Sequence, residues 1–131
     1  MSISPKKYKD RAQFVGADLC RIPWPVPGLF DRAMAIGVLH HLPDSSVLKI
    51  LKNARAVLKP GAKLITMDGY LEKGQSFIAR MLLSMDRGKH VRTQEGYVSL
   101  ARSVFGRVEC HVETGMLRLP YSHLVMEMTS D

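Results

Sequence analysis

The sequence predicts an α/β fold in which helices alternate with the strands of a mostly parallel sheet. Two short apolar runs, residues 30–38 and 63–68, are each followed by a stretch with helical spacing of its apolar residues. This alternation of strand and helix is typical of βαβ units. Residues 107–113 and 124–128 form two further runs with strand character. Because a short loop joins these last two, we expect them to pair antiparallel.

Length and composition are those of one globular domain. The chain has 131 residues, of which 46% are hydrophobic and 24% charged. A chain of this length can bury a core without disulfides or metals to hold it together. We divide it into a polar lead-in (1–12), a core segment (13–68) and a closing segment of helices and a β-hairpin (69–131).

The cysteines and the N-terminus predict the compartment. Cys20 and Cys110 are far apart, and their spacing fits neither a disulfide framework nor a zinc site. We therefore expect no metal and a reducing, cytoplasmic location. The first residues carry charge but lack the apolar core of a signal peptide. No apolar run approaches the roughly 20 residues that a membrane helix needs, so we expect no membrane segment.

The formal net charge of +7 raises the question of an acidic partner. The basic residues between positions 49 and 63 recur along one predicted helix and fit its solvated face, so nucleic acid binding is disfavoured. The tightest basic cluster is residues 87–92. It either holds an anionic substrate, through Arg87 and Arg92, or is a soluble loop.

The first half of the core segment is predicted to be a strand, a loop and a second strand. Residues 13–17 suit a short strand that ends at Asp18. Prolines and a glycine make residues 23–28 a loop, with Trp24 as an apolar anchor. Residues 30–38 are apolar apart from two charged residues near their start, which predicts a strand buried on both faces.

Three helices are predicted. The first follows residues 44–46, whose side chains offer N-caps, and ends at the Lys-Pro-Gly of residues 59–61. The second is amphipathic over residues 77–85, and the third begins at Thr93 as its N-cap. Ligands of open α/β sheets bind at the carboxyl ends of the strands. We therefore expect the site on the rim formed by Asp18 and the residues that follow the next two strands.

Three stretches resemble motifs of the class I S-adenosylmethionine-dependent methyltransferases, in that family's order. Residues 30–44 (FDRAMAIGVLHHLPD) are similar to its fourth-strand motif, and residues 58–64 (LKPGAKL) resemble the turn into its fifth strand. Residues 15–18 with residues 22–25 resemble the acidic end of its third strand and the loop that follows. The resemblance is strongest over residues 14–68.

The resemblance implies a truncated Rossmann-like methyltransferase sheet, mostly parallel with an antiparallel last strand, as a single partial domain over residues 1–131. It implies S-adenosyl-L-methionine as cofactor and a small-molecule methyl acceptor. The family's glycine-rich turn after its first strand has no counterpart in the sequence, nor has the acid after its second strand. Because both are missing from the sequence, it is an open question whether the chain alone binds the cofactor.

The resemblance also assigns cofactor contacts. Asp18 would accept a hydrogen bond from the adenine amino group, or it is only a turn-forming acid. Leu19 would lie against the adenine. Ala35, Ile36 and Gly37 would lie along the methionine part, where a small residue lets the backbone approach closely.

Two histidines and a tyrosine are the candidates for substrate contact. His41 would lie near the sulfonium or the substrate, where it acts as a general base or only fixes its loop by a hydrogen bond. His40 and Tyr70 are candidate substrate contacts. Their alternatives are a place at the start of a helix for His40 and cover for apolar surface for Tyr70.

The sequence has no counterpart to the first two strands of the family's sheet, which predicts an open sheet edge along residues 30–38. We expect either the strand over residues 13–17 to pair there or two chains to form a homodimer through this edge. The functional hypotheses are a small-molecule methyltransferase, inactive if the truncation abolishes cofactor binding, and a non-catalytic module. The non-catalytic module would dimerise or bind a partner that supplies the missing half.

Overall fold

The computed structural model describes residues 15–21, 23, 24, 26, 29–70, 90–113 and 123–130. Over this part, the chain forms four strands, two α-helices and a 3₁₀ turn. They are β1 (Phe30–Ile36), the 3₁₀ turn (Leu39–His41), α1 (Asp44–Ala56), β2 (Leu58–Gly69), α2 (Gln94–Arg102), β3 (Arg107–Glu113) and β4 (His123–Thr129).

The four strands form one sheet in the order β1-β2-β4-β3. β1 and β2 pair in parallel, and β4 pairs antiparallel with both β2 and β3. The α/β class and the antiparallel last strand are thereby confirmed. The predicted helix over residues 77–85 and Arg87 lie outside the described residues. Within the described segments, no helix is long and apolar enough to span a membrane.

Both helices pack on the same face of the sheet. The strand registers place Ala33, Leu64, Met128 and Val108 in one row across all four strands on this face. The buried cluster between this face and the helices includes Val47, Leu51, Ala54, Leu64, Tyr97, Ala101, Phe105, Leu124, Met126 and Met128. Its apolar burial is the main force that holds the described part together.

The opposite face of β1 is open in the described part of the chain. It carries Phe30, Met34 and Ile36, which are 42%, 66% and 57% exposed. The prediction that this strand is buried on both faces is therefore wrong. The reason is its position, because β1 lies at the edge of the sheet and both described helices cover the other face.

The predicted strand over residues 13–17 does not form in its described part. Residues 15–18 have no strand structure, and β1 pairs with β2 among the described strands. The chain instead turns at Asp18, whose Oδ1 accepts a hydrogen bond from the Cys20 backbone N–H at 2.9 Å. A side chain that bonds the backbone two residues on stabilises a turn and competes with a strand ladder.

The two helices begin differently. The N-cap of α1 is Pro43, and no side chain caps the helix, so the predicted capping by residues 44–46 is wrong. Asp44 is instead the first helical residue, where its charge is favourable against the helix dipole. The prediction for α2 is confirmed, because the Thr93 hydroxyl accepts the Gly96 backbone N–H at 3.1 Å.

The helix α1 also ends earlier than predicted. It stops at Ala56 because the chain already pairs with β1 at Leu58, which lies opposite Phe30. The register then shifts by a bulge, within which Gly61 adopts a φ of +83°. This backbone conformation favours glycine, and it directs the Gly61 N–H to the carbonyl of Ser130 at 2.6 Å.

Candidate functional site

A cleft of about 470 Å³ opens where β1 ends at its carboxyl side. Four of the predicted cofactor residues line it, namely Asp18, Leu19, Gly37 and His41. The rest of its described lining is Ala17, Cys20, Val38, Leu42 and Ile50. The fold thus brings residues 17–20 close to residues 37–42, although β1 and the segment before it separate them in the sequence.

Two predicted cofactor residues do not reach the cleft. The side chain of Ala35 lies on the helix-covered face, in the row of Thr66 and Met126. Ile36 is 57% exposed on the open face. Neither belongs to the described lining, so any contact that they make with a ligand in the cleft would have to run through their backbone.

The loop that carries Asp18 and Leu19 is attached to α1 by the hydrogen bonds of a buried asparagine. The Nδ2 atom of Asn53, a buried residue of α1, donates to the carbonyl of Leu19 at 3.1 Å and to that of Arg21 at 2.9 Å. Trp24 Nε1 donates to the Leu19 carbonyl as well, at 2.7 Å. Trp24 therefore anchors the loop as predicted, although by a hydrogen bond in addition to its apolar packing.

Gly37 shapes the opposite wall of the cleft. Its φ of +70° turns the chain out of β1, while its N–H still donates to the Met67 carbonyl at 2.8 Å. A Cβ atom at this position would lie 3.7 Å from Cε1 of His40. The positive φ favours glycine at this turn, and the His40 ring lies close to this part of the cleft wall.

The 3₁₀ turn carries His40 and His41 in different environments. His40 is buried, and its Nδ1 lies 2.9 Å from Oδ1 of Asp68, the next-to-last residue of β2. The same carboxylate oxygen accepts the backbone N–H of His40 at 3.1 Å. His41 is exposed and lines the cleft, with its ring centroid 4.2 Å from that of His40.

Asp68 is almost completely buried, with 2% of its surface exposed. Its second oxygen, Oδ2, has no hydrogen-bond partner among the described residues. A buried carboxylate is costly unless it is paired. The two contacts to His40 supply such a pairing, and they fix the orientation of the imidazole ring.

The predicted substrate contacts Tyr70 and Arg92 point elsewhere in the structure. Tyr70 is 2% exposed and belongs to the buried core. The guanidinium of Arg92 contacts the backbone carbonyls of Leu39, Leu42 and His90 and the carboxylate of Asp44. Neither side chain is directed into the cleft.

The tyrosine of α2 lies behind the end of β2. The hydroxyl of Tyr97 donates to the Gly69 carbonyl at 2.7 Å, and the side chain is 1% exposed. Burial raises the pKa of Tyr97 well above its ordinary value of 10.0, although the backbone hydrogen bond at Arg92 acts in the opposite direction. The phenol therefore stays protonated as a donor at any physiological pH.

Sequence analysis missed two residues of this arrangement. They are Asn53, which holds the loop of Asp18 and Leu19, and Asp68, which holds His40. No local pattern distinguishes either residue, because both act on segments 28 or more positions away. The one available signal was a polar side chain on a strand or helix face that is otherwise apolar. No cluster of three or more His, Cys, Asp or Glu side chains in the described ranges could hold a metal ion.

Comparison with known proteins places the fold. Residues 2–66 match the family model described as a methyltransferase domain. Acetylserotonin O-methyltransferase of Mus musculus is 31% identical over an alignment of 105 positions, which covers 75% of this chain and 26% of that protein. The chain spans about a quarter of the length of this curated relative.

Two solved structures show the same architecture. The mitomycin 7-O-methyltransferase MmcR has a TM-score of 0.69 at 19% identity, covering 95% of this chain and 36% of that one. Human N-acetylserotonin methyltransferase in complex with S-adenosylmethionine has a TM-score of 0.64 at 17% identity, covering 94% and 37%. The family match and the order of the motifs show that the chain belongs to the S-adenosylmethionine-dependent methyltransferases.

Proposed function

We propose that the chain forms one wall of an S-adenosylmethionine-binding cleft and supplies the acid–base histidine of a small-molecule O-methyltransferase. The observation that carries the proposal is the cleft itself. It brings together Asp18, Leu19, Gly37 and His41, which the motifs had assigned to the cofactor. The proposal concerns the part of the enzyme present in this chain, which spans little more than a third of the solved structures named above.

The chemistry of the cleft fits the proposed cofactor. Asp18 uses Oδ1 in its own turn, and its other oxygen lies outside that bond, where it suits an exocyclic amino group. Leu19 and Ile50 offer apolar surface to an aromatic base. Gly37 lets a ligand approach the backbone at the end of β1. When bound, S-adenosylmethionine supplies an electrophilic methyl group on a sulfonium.

His40 is the better candidate for the general base. Its Nδ1 faces the Asp68 carboxylate, which fixes the ring. We propose that Nε2 accepts the proton of an acceptor hydroxyl, although the His40 ring lies behind the residues that line the cleft in the described structure. A carboxylate that holds an imidazole in this way sets its tautomer and stabilises the imidazolium that forms. The relatives named above are O-methyltransferases, which supports a hydroxyl as the acceptor group. His41 then contributes to the cleft wall.

The remaining assignments stay predictions. Arg87 is proposed to contact an anionic part of the substrate. A cytoplasmic location is proposed as well, supported by the low cysteine content.

Calorimetric titration with S-adenosylhomocysteine, the product form of the cofactor, tests the cleft. We expect micromolar binding that Asp18→Ala weakens at least about tenfold, since a hydrogen bond to a charged group contributes about 1.5–3 kcal/mol. Asp31→Ala is the matched control, because it removes an exposed carboxylate on β1 that is not part of the lining. Absence of binding at millimolar ligand would show that this chain alone does not hold the cofactor.

A second candidate function, a self-associating non-catalytic module, is favoured by the open face of β1. Its three apolar residues, Phe30, Met34 and Ile36, lie on the edge strand of the sheet. The partner that we propose is a second copy, paired antiparallel about Ala33, so that Phe30 of each chain faces Ile36 of the other. Unpaired edges with apolar side chains favour such association.

Light scattering over a range of concentrations tests this second candidate. We expect a dimer that Met34→Lys dissociates, because this register would place the new charge directly opposite Arg32 of the second copy, and like charges opposite each other oppose strand pairing. Glu109→Lys on β3, the opposite edge of the sheet, is the control and should leave the mass unchanged. A monomer at every concentration would exclude the dimer.

A further inference from the structure

We propose that Arg92 is a positioning residue, whose guanidinium fixes the 3₁₀ turn that carries His40 and His41. The inference deepens the proposed function and depends on it for its catalytic consequence. Its structural content stands on contacts within the chain and can be tested separately.

The guanidinium of Arg92 joins three segments. Nη1 donates to the Leu39 carbonyl at 3.0 Å and to the His90 carbonyl at 3.1 Å. Nη2 donates to the Leu42 carbonyl at 2.6 Å and lies 2.8 Å from Oδ1 of Asp44. Nε donates to the same carboxylate oxygen at 2.9 Å. One side chain thus holds the carbonyls of Leu39 and Leu42, the residues on either side of the two histidines.

These contacts engage all three nitrogens of the guanidinium. The side chain offers five N–H groups in a rigid, planar arrangement. Four of them donate hydrogen bonds, and Nη2 is in addition in ion-pair contact with the Asp44 carboxylate. The Arg92 side chain is 11% exposed, which leaves it little access to solvent. An anionic substrate would have to displace these bonds, so the role of Arg92 is to hold the turn.

Arg92 adds to the bonds that the turn makes within itself, from the His41 N–H to the Val38 carbonyl at 3.2 Å and from the Leu42 N–H to the Leu39 carbonyl at 3.1 Å. A single 3₁₀ turn leaves most of its carbonyl groups outside helical bonds, and buried ones must be satisfied. The backbone of His90 adds to the same connection, because its N–H donates to the His40 carbonyl at 2.9 Å. The segment before α2 therefore determines where the two imidazole rings lie relative to Asp68 and the cleft.

The charge of Arg92 is compensated locally. Asp44, the first residue of α1, provides the counter-charge, and the Tyr97 ring lies with its centroid 5.8 Å from the guanidinium carbon. A lysine at this position could keep the ion pair with Asp44. It could not span the carbonyls of Leu39 and Leu42 at the same time, because its donors diverge from a single nitrogen.

The first measurement uses the unmodified chain. In its nuclear magnetic resonance spectrum, we expect resolved, slowly exchanging guanidinium protons for Arg92, as its bonds to carbonyls require. Arg102, an exposed arginine in the last turn of α2, serves as the internal reference and should show fast exchange. Equal, fast exchange for both arginines would overturn the proposal without any variant being made.

The variants Arg92→Ala and Arg92→Lys test the consequence for the histidines. We expect the ring signals of His40 and His41 to move from their wild-type positions in both, and to return in Arg92→Ala when millimolar guanidinium fills the vacated space. Arg102→Ala should leave the signals unchanged. Wild-type ring signals in a folded Arg92→Ala chain would overturn the proposal, and if that variant fails to fold, Arg92→Lys is read in the same way.

Ligand binding separates this proposal from the function on which it rests. If the wild-type chain binds S-adenosylhomocysteine, Arg92→Ala should weaken binding at least about tenfold through displacement of the cleft wall, and added guanidinium should restore it. If the wild-type chain does not bind, the proposed function fails, while the histidine signals still decide whether Arg92 positions the turn.

Discussion

The two edge strands of the sheet, β1 and β3, contrast sharply on the face that the described helices leave open. β3 presents Arg107, Glu109, His111 and Glu113 there, in register with the open-face residues of β4. β1 presents Phe30, Met34 and Ile36 in addition to one arginine. Charged side chains on an edge oppose pairing with another chain, whereas apolar ones favour it. The edge at β3 is therefore built to face water, and the edge at β1 is built to be covered.

A second contrast separates the β1 edge from the carboxyl end of β2. Asp31 of β1 pairs with Lys59 at 2.9 Å, and both side chains are largely exposed. Asp68 of β2 pairs with His40 at the same distance, and both side chains are nearly buried. Equal distances thus carry different weight, because solvent screens the first pair and leaves the second almost untouched.

The largest expected effect compares a side chain buried between the helices and the sheet with one on the open face of β1. Leu51→Ala in α1 removes a side chain with 0% exposure and should lower the free energy of unfolding by about 2–5 kcal/mol. Met34→Ala on the open face of β1 should change it by no more than about 0.5 kcal/mol. Urea denaturation of both variants measures the difference. A cost for Met34→Ala above about 1 kcal/mol would mean that the open face is covered in solution.

The next effect compares these two carboxylate contacts. Asp68→Asn should lower the free energy of unfolding by about 1–3 kcal/mol, because the buried carboxylate accepts two hydrogen bonds from His40. Asp31→Asn, its matched control at the exposed edge, should cost about 0.5 kcal/mol or less. Both values come from the same urea denaturation. Equal losses would contradict the view that burial distinguishes these pairs.

The strands and helices were largely predictable because their apolar periodicity is a local property. The prediction of α2 with Thr93 as its cap, and of the closing strands, is confirmed to within a residue or two. For β1 the sequence supported two different expectations. Its apolar run predicted burial on both faces, whereas the lack of a counterpart to the family's first two strands predicted an open edge. The described structure agrees with the second, since an apolar run indicates that a strand favours burial and not which neighbours are present. Within the site, motif order led to Asp18, Leu19, Gly37 and His41, all of which line the cleft.

The supporting contacts could not be found from local pattern. Asn53 and Asp68 differ from ordinary polar residues only through partners far away in sequence. Arg92 was recognised as part of a basic cluster, and its charge suggested an anionic ligand. The structure shows why that interpretation was incomplete, since backbone carbonyls and one carboxylate in the fold engage the whole guanidinium.

The smallest effect concerns the buried phenol at the end of β2, and it depends on pH. Tyr97→Phe removes the hydrogen bond to the Gly69 carbonyl, so at pH 7 it should lower the free energy of unfolding by about 1 kcal/mol. Burial raises the pKa of Tyr97 in the folded chain above its ordinary value of 10.0. The stabilising contribution of the hydroxyl is therefore complete below that value and declines as the pH rises above it, because the unfolded chain then releases a proton that the folded chain retains.

The decline should be about 1.4 kcal/mol per pH unit above the unfolded pKa. By about pH 11 to 12, the phenylalanine variant should consequently become the more stable of the two chains, since it has no phenol to ionise. The difference in free energy of unfolding between the wild-type chain and Tyr97→Phe is taken at the same pH, so the contributions of all other titrating groups cancel. A constant difference between pH 7 and pH 12 would show that the Tyr97 hydroxyl is as accessible to ionisation in the folded chain as in the unfolded one. In that case the interior end of β2 would resemble the open edge at β1, and the contrast between these two regions would no longer hold.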